Sequence, residues 1–162
     1  MKTMTKLFVG VATVALVGTA LSTPIVKNTF PLLSVGNQSA DIYQRGKFES
    51  NGEEKFSASL KTEGPSTVTI QDAAFTAGGQ NGWHSHPGIV IVTMISGSIE
   101  WYDANCKTTT YNAGDSWVEG GQPHAFKVLS NGAHLSAVFV TAQGQVTRTD
   151  QPAPACSAGL GL

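Results

Sequence analysis

The sequence predicts an all-β protein, an antiparallel sandwich or barrel, on three observations. Short apolar runs recur after residue 55, each closed by a Gly, Pro or Asn-Gly turn signal. No segment of helix length carries a 3.6-residue apolar period. Charged residues make up only 13% of the chain while Gly reaches 18 copies. That mix suits strands and tight turns rather than helices with charged outer faces. A chain of 162 residues is long enough for one domain with a real core and short for two.

The first residues are expected to be absent from the mature protein. Met1 to Lys6 holds Lys2 and Lys6 and no acid, and Leu7 to Ala20 is apolar or small throughout. Ala20-Leu21-Ser22 then offers small residues to a peptidase. This order is that of a secretory signal, expected over residues 1–22, with cleavage between Ala20 and Pro24. The apolar run is shorter than the ~20 residues a spanning helix needs, so no stable membrane insertion is expected after cleavage. The protein is expected to be exported, periplasmic or secreted.

Thr23 to Gly52 mixes Pro, Gly, Asn and Ser with few periodic apolar residues. It predicts a linker or a short, loosely docked N-terminal arm over 23–52, leaving 53–162 as the barrel domain. Strands are expected at Phe56 to Leu60, Val68 to Ile70, Ile89 to Ile95, Ser98 to Tyr102, Ser116 to Val118, Ala125 to Val128 and Leu135 to Thr141. The intervening turn signals include Gly78-Gly79, Pro87-Gly88, Ser96-Gly97, Gly120-Gly121 and Asn131-Gly132.

The two cysteines agree with export. Cys106 lies in a polar turn, and Cys156 lies in a Pro-rich tail running from Gln151. In an oxidising compartment they most simply form one disulfide that staples the tail to the domain. Neither has a His or a second Cys at ligand spacing, which leaves a metal or catalytic thiol without support. Net charge is -1 for the whole chain. No basic stripe exists to neutralise phosphates, so the expected partner is a small molecule and not a nucleic acid. A homodimer is compatible with this composition.

The chemistry is concentrated in histidines. Trp83-His84-Ser85-His86-Pro87 places two of them two residues apart. In a strand, positions i and i+2 share a face, so both imidazoles are expected to point into the barrel. A third, His124, follows a Gly-Gly turn about forty residues later. A metal site on His84, His86 and His124 is therefore predicted. His134 lies outside this pattern and reads as a surface or hydrogen-bonded residue. Asp115 is expected to shape a turn. Trp83, Trp101, Tyr102, Trp117 and Phe126 read mainly as core.

The segment from Gly78 to Val128 resembles the cupin superfamily, in particular small single-domain exported bacterial cupins. The first cupin motif joins a Gly, a His-x-His pair, a Glu and a closing Gly. This chain offers Gly78, His84-Ser85-His86 and Gly97. The second motif runs from Gly-Asp through Pro and Gly to a His, matched here by Gly114-Asp115 through Pro123-His124. The resemblance implies an RmlC-like antiparallel jelly-roll β-barrel and one divalent transition ion (Fe, Mn, Ni, Cu or Zn) on His84, His86 and His124. Two departures stand out. Val90 occupies the place of the motif glutamate, and the second motif is one residue short, with Gly120 where proline is usual.

Without the motif glutamate the site is expected to hold its ion on three neutral imidazoles, at a net charge near +2. Gln80, Glu119 or neither then assists, and restoring Glu at position 90 is expected to tighten binding. Two functions follow. One is a metal-dependent oxygenase acting on a small, oxygen-rich chelating compound. The other is a non-catalytic exported module that binds a small ligand or a metal. A general acid or base beside the ion is what separates them, and Glu119 is the one candidate.

Overall fold

A computed structural model of the chain describes residues 30–162. The expected signal over 1–22 and its cleavage site lie outside the described residues. In chain order the strands are β1 (Leu32–Gln38), β2 (Ile42–Ser50), β3 (Glu53–Thr62), β4 (Ser66–Thr76), β5 (His84–Ser85) and β6 (Ile89–Ser96). They continue with β7 (Ser98–Tyr102), β8 (Thr108–Asn112), β9 (Ser116–Glu119), β10 (Ala125–Val128), β11 (Gly132–Ala142) and β12 (Thr149–Asp150). A single turn of 3-10 helix, Ala155–Ser157, follows. No helix among the described residues is long and apolar enough to cross a membrane.

The strands form two facing layers, as a jelly roll requires. One layer is a sheet in the order β1-β4-β11-β6-β9, antiparallel at every pairing. The other has β10-β7-β8, extended through the bridges His84↔His124 and Gln80↔Lys127 to the β5-β12 pair. Alternation decides which side chains fill the space between the layers. Along β6, Val90, Val92 and Met94 are buried while Ile89, Ile91 and Ile95 face out. Along β11, Ala133, Leu135, Ala137, Phe139 and Thr141 take the inner face. Phe75 of β4 and Phe126 of β10 meet edge to face across the layers, ring centroids 4.9 Å apart.

All seven strands expected from the sequence are present, most of them longer than their apolar runs. Within the segment 23–52, expected as a linker or short N-terminal arm, the described residues carry two strands from Leu32 onward. β1 adds to the sheet edge beside β4, and β2 pairs with β3 in a two-stranded ribbon. The ribbon turns at Asn51-Gly52, both at positive φ, the geometry of a two-residue hairpin whose twist matches its strands. β8 is likewise a strand that its short polar run Thr108–Asn112 does not announce.

One glycine has no substitute at the turn between β6 and β7. Gly97 has φ +81, and a Cβ there would lie 2.1 Å from the Gly132 carbonyl oxygen. It allows β7 to leave β6 tightly while the β10–β11 turn packs on top. Cys106 and Cys156 are joined, with Cα atoms 6.1 Å apart across 50 residues of sequence. The tail is thereby pinned beside the Asp103–Lys107 turn, and β12 runs along β5. A disulfide fits an oxidising compartment.

Candidate metal centre

His84, His86, Glu119 and His124 converge in the interior, all four buried, with one ligand atom from each inside a 4.8 Å spread. The backbone brings the two histidine motifs together directly. His84 N donates to the His124 carbonyl and His124 N to the His84 carbonyl, both at 2.9 Å. His86 N donates to the Gly120 carbonyl at 3.1 Å. The ring centroids of His84, His86 and His124 stand 4.4 to 5.0 Å apart. The three-histidine convergence expected from strand parity is thus present.

Each imidazole is oriented the same way. His84 Nδ1 lies 2.9 Å from the Gly82 carbonyl, His86 Nδ1 2.6 Å from that of Thr147, and His124 Nδ1 2.8 Å from that of Gln122. A carbonyl only accepts, so each Nδ1 carries the proton, and a neutral ring then has a bare Nε2. The Nε2 atoms are thereby turned toward the centre. His124 Nε2 is buried with no hydrogen-bond partner, although Glu119 Oε2 lies 3.3 Å away.

Glu119 completes the set. Its Oε1 accepts from two indoles, Trp101 Nε1 and Trp117 Nε1, both at 2.9 Å. Its Oε2 is left facing His86 Nε2 at 3.2 Å and His124 Nε2 at 3.3 Å. Burial works to raise the pKa of this carboxyl. The His124 and His86 rings beside it, with the Trp117 indole, outweigh that and hold it well below the usual carboxylate range. His84 is pushed down to about 2, first by burial, then by His124 and Arg148. It is neutral across ordinary pH, as a ligand must be.

Glu119 corrects the expectation of an all-imidazole site. The Val90 position does lack a carboxylate, but in the β6–β9 register Val90 stands opposite Glu119. The carboxylate comes from the neighbouring strand instead. An ion held here would sit with three neutral imidazoles and one charge of −1, giving net +1 in place of +2. A Glu at position 90 would then put two carboxylates side by side, and without an ion between them one pKa would rise. Gln80 pairs with Lys127 at the far end of β10 and is not one of the four converging residues. Parity along β9 carried the missed signal. Ser116 and Val118 face out, so Trp117 and Glu119 must face in.

The other sequence readings fall outside the centre. His134 Nε2 reaches Asp72 Oδ2 at 3.2 Å on the outer face. Asp115 Oδ2 accepts from Asn112 N at 2.7 Å and shapes its turn. Trp101 is more than core, since it stacks on His124 with centroids 5.8 Å apart as well as holding Glu119. Arg148 and Thr147, in the tail, line the same cavity as His84, His86 and Glu119 and were not singled out by any sequence pattern. That cavity has a volume of about 280 Å³. Its remaining wall is largely apolar, with Phe75, Val92, Phe126, Leu135 and Phe139 among the residues that form it.

The donor set fits a first-row transition ion. Three imidazole nitrogens and one carboxylate oxygen suit Zn, Fe, Ni, Cu or Mn. The ligand atoms lie within 4.8 Å of one another, so small side-chain shifts would bring them to metal–ligand bonds of ~2.0–2.2 Å. Each ligand is also braced behind, three by carbonyls and one by two indoles, as second partners of metal ligands generally are.

Residues 72–141 match the cupin domain family, and this part of the chain is a cupin domain. β1, the β2–β3 ribbon and the stapled tail lie outside the matched span. Among solved structures, the chain is similar to a conserved protein of unknown function from Streptococcus pyogenes. That match has 27% identity over 48% of this chain and 67% of that one, with a TM-score of 0.44. It is similar to an RmlC-like cupin from Shewanella frigidimarina, at 18% identity over 48% and 68%, TM-score 0.43. A protein with a double-stranded β-helix domain from Klebsiella pneumoniae matches at 25% identity over 53% and 76%, TM-score 0.43. Comparison with curated proteins gives no match.

Proposed function

We propose that the chain is an exported metal-binding cupin in which His84, His86, His124 and Glu119 hold one divalent transition ion at the wall of a small-molecule cavity. One observation carries this reading. Three imidazole nitrogens and a carboxylate oxygen face one another in the interior. Converging lone pairs in a buried place repel unless a cation lies among them. A proton shared between His86 and Glu119 meets part of that need, yet His124 Nε2 is still left without a partner.

Of the catalytic forms, an oxygenase acting on a small, oxygen-bearing compound is the one the cavity suits. Glu119 has both oxygens engaged, so it is not a free general acid or base. Apart from the ligands, the one titratable side chain lining the cavity among the described residues is Arg148, which does not exchange protons near neutrality. Chemistry that depends on a positioned proton donor is therefore poorly served. A bound ion would supply Lewis-acid polarisation of substrate oxygens and a route for electrons to dioxygen. The protein's part is to hold four ligands in place, keep His84 neutral and set an apolar wall of phenylalanines opposite them.

Elemental analysis of the purified mature protein, followed by an oxygen-consumption screen on catechols, flavonoids and β-diketones, tests both levels. The expected result is about one ion per chain, lost when His84 is replaced by Ala while the barrel stays folded. Full metal occupancy in His84→Ala removes the centre from consideration. Metal without oxygen uptake favours the non-catalytic ligand-binding module, for which the same pocket serves. Intact-mass measurement on the exported fraction tests the processing, with a mature N-terminus expected between Ala20 and Pro24.

A further inference from the structure

Arg148 is the one Lys or Arg lining the cavity among the described residues, and holding an ion leaves it without a task. Its position is fixed from two sides. Nε donates to Asp150 Oδ1 at 2.8 Å, and one Nη donates to the Asn81 carbonyl at 2.8 Å. Asn81 is itself held, its Oδ1 accepting from Phe126 N at 2.7 Å. A guanidinium has five N–H groups in a rigid fork, so these contacts set its plane and leave donors over. The carboxylate opposite it is weakly placed to neutralise it, because the Asp150 side chain is 57% exposed and the pair is screened by water.

Arg148 is also next to the centre. The preceding residue, Thr147, gives the carbonyl that orients His86, and Asp150 is paired in register with His84. With an ion in place, the net +1 of the centre and the +1 of Arg148 face the same cavity. Two like charges on one low-dielectric wall are unfavourable until an anion lies between them. The rest of the wall sets the shape of that anion. Phe75, Val92, Phe126, Leu135 and Phe139 offer no hydrogen bond to a second charged group. Gln71, which also lines the cavity, directs its amide to the Phe30 carbonyl at 3.2 Å.

We propose that this cavity binds a compact monocarboxylate, with its carboxylate between the metal centre and the Arg148 fork and its apolar body against the phenylalanine wall. The inference rests on the metal reading of the centre and names the ligand class for it. Size follows from volume. At about 280 Å³ the cavity lies at the lower end of small-molecule pockets, roughly 300–1,000 Å³, which suits a compact acid such as benzoate. A bidentate carboxylate–guanidinium pair is directional, so lysine is a poor replacement for Arg148.

Calorimetric titration of the metal-loaded full chain with benzoate tests this. Benzoate is expected to bind saturably, and benzyl alcohol and terephthalate at least about tenfold more weakly, since one lacks the charge and the other carries a second. Arg148→Gln is expected to weaken benzoate at least about tenfold, with Arg148→Lys in between, while the metal content and the benzyl alcohol affinity stay at wild-type values. Failure of the wild-type protein to bind benzoate, equal binding of the alcohol, or wild-type benzoate affinity in Arg148→Gln overturns the proposal. If the wild-type chain takes up no ion, the metal reading fails on its own. The same titration of the metal-free chain then decides the anion: benzoate binding that Arg148→Gln abolishes supports it, and its absence overturns it.

Discussion

Two pairs of phenylalanines show how differently the two halves of this chain use the same residues. Phe75 and Phe126 come from opposite sheets, meet edge to face and are almost sealed from solvent. Phe48 and Phe56 stand opposite each other in the β2–β3 register and are 60% and 59% exposed. Both pairs are placed by strand geometry. Only the first removes apolar surface from water, so the barrel is held by burial and the ribbon by its own ladder and turn. The comparison teaches that strand pairing fixes where side chains go, while the second layer decides whether they stabilise anything.

The largest effect expected from this contrast is in the barrel. Phe126→Ala should lower unfolding free energy by about 3–5 kcal/mol, the range for removing a buried aromatic, read from denaturant curves. Removing the staple comes next. Cys156→Ser frees a 50-residue loop, worth up to roughly 4 kcal/mol in the chain-entropy model and less where the unfolded chain keeps structure. A melting temperature unchanged by Cys156→Ser would show that the tail is held by β12 alone.

The centre should respond on its own scale. Glu119→Gln keeps the shape but removes the charge and one acceptor. Metal affinity, followed by competition with a chelator, is expected to fall by about 10- to 100-fold without loss of the barrel. An unchanged affinity would return the site to three imidazoles alone.

Acid should weaken the metal-free protein in two stages. His84 is held neutral when folded, its pKa lowered from 6.5 to about 2. Its contribution is therefore fully present above pH 6.5. Below that the unfolded chain takes up a proton that the folded chain refuses, and stability is lost at up to about 1.4 kcal/mol per pH unit. Glu119, with its pKa well below 4.5 when folded, adds a second loss below about pH 4.5, where the unfolded carboxyl begins to protonate. Urea midpoints between pH 7 and pH 4 measure both. A flat profile from 7 to 5 would contradict the burial of a neutral His84.

The smallest effect belongs to the ribbon. Phe56→Ala should change stability by no more than about 0.5 kcal/mol, as at other exposed sites. A cost close to that of Phe126→Ala would break the comparison by revealing that the ribbon buries its face on something.

What the sequence made legible follows the same division. Inward-facing strands announced themselves because burial demands alternation, and His84, His86 and His124 were readable from parity and spacing. Glu119 was harder to place. Val90 stands where a glutamate is expected, while the strand that faces it across the register carries the carboxylate. Pairing between strands distant in sequence is not written in either strand alone. Of the ribbon only β3 was expected; β2 escaped because neither face of the ribbon is buried, so no apolar period marks it, although Asn51-Gly52 is a strong hairpin signal. Arg148 and Thr147 lie in a segment without periodicity, and only the closed fold reveals that they form part of a wall.

That wall gives the assembly a sequence in time. His84 and His86 leave the ribosome more than sixty residues before Thr147, Arg148 and Asp150, whose backbone orients one ring and whose strand runs beside the other. The two sheets are expected to close around the phenylalanines while this side is still open, with the disulfide then fixing the tail in place. The four-residue centre is expected to be the last part of the molecule to be finished. A half-made chain has its histidines but not the frame that aims them, so loading is expected to follow folding and oxidation instead of guiding them.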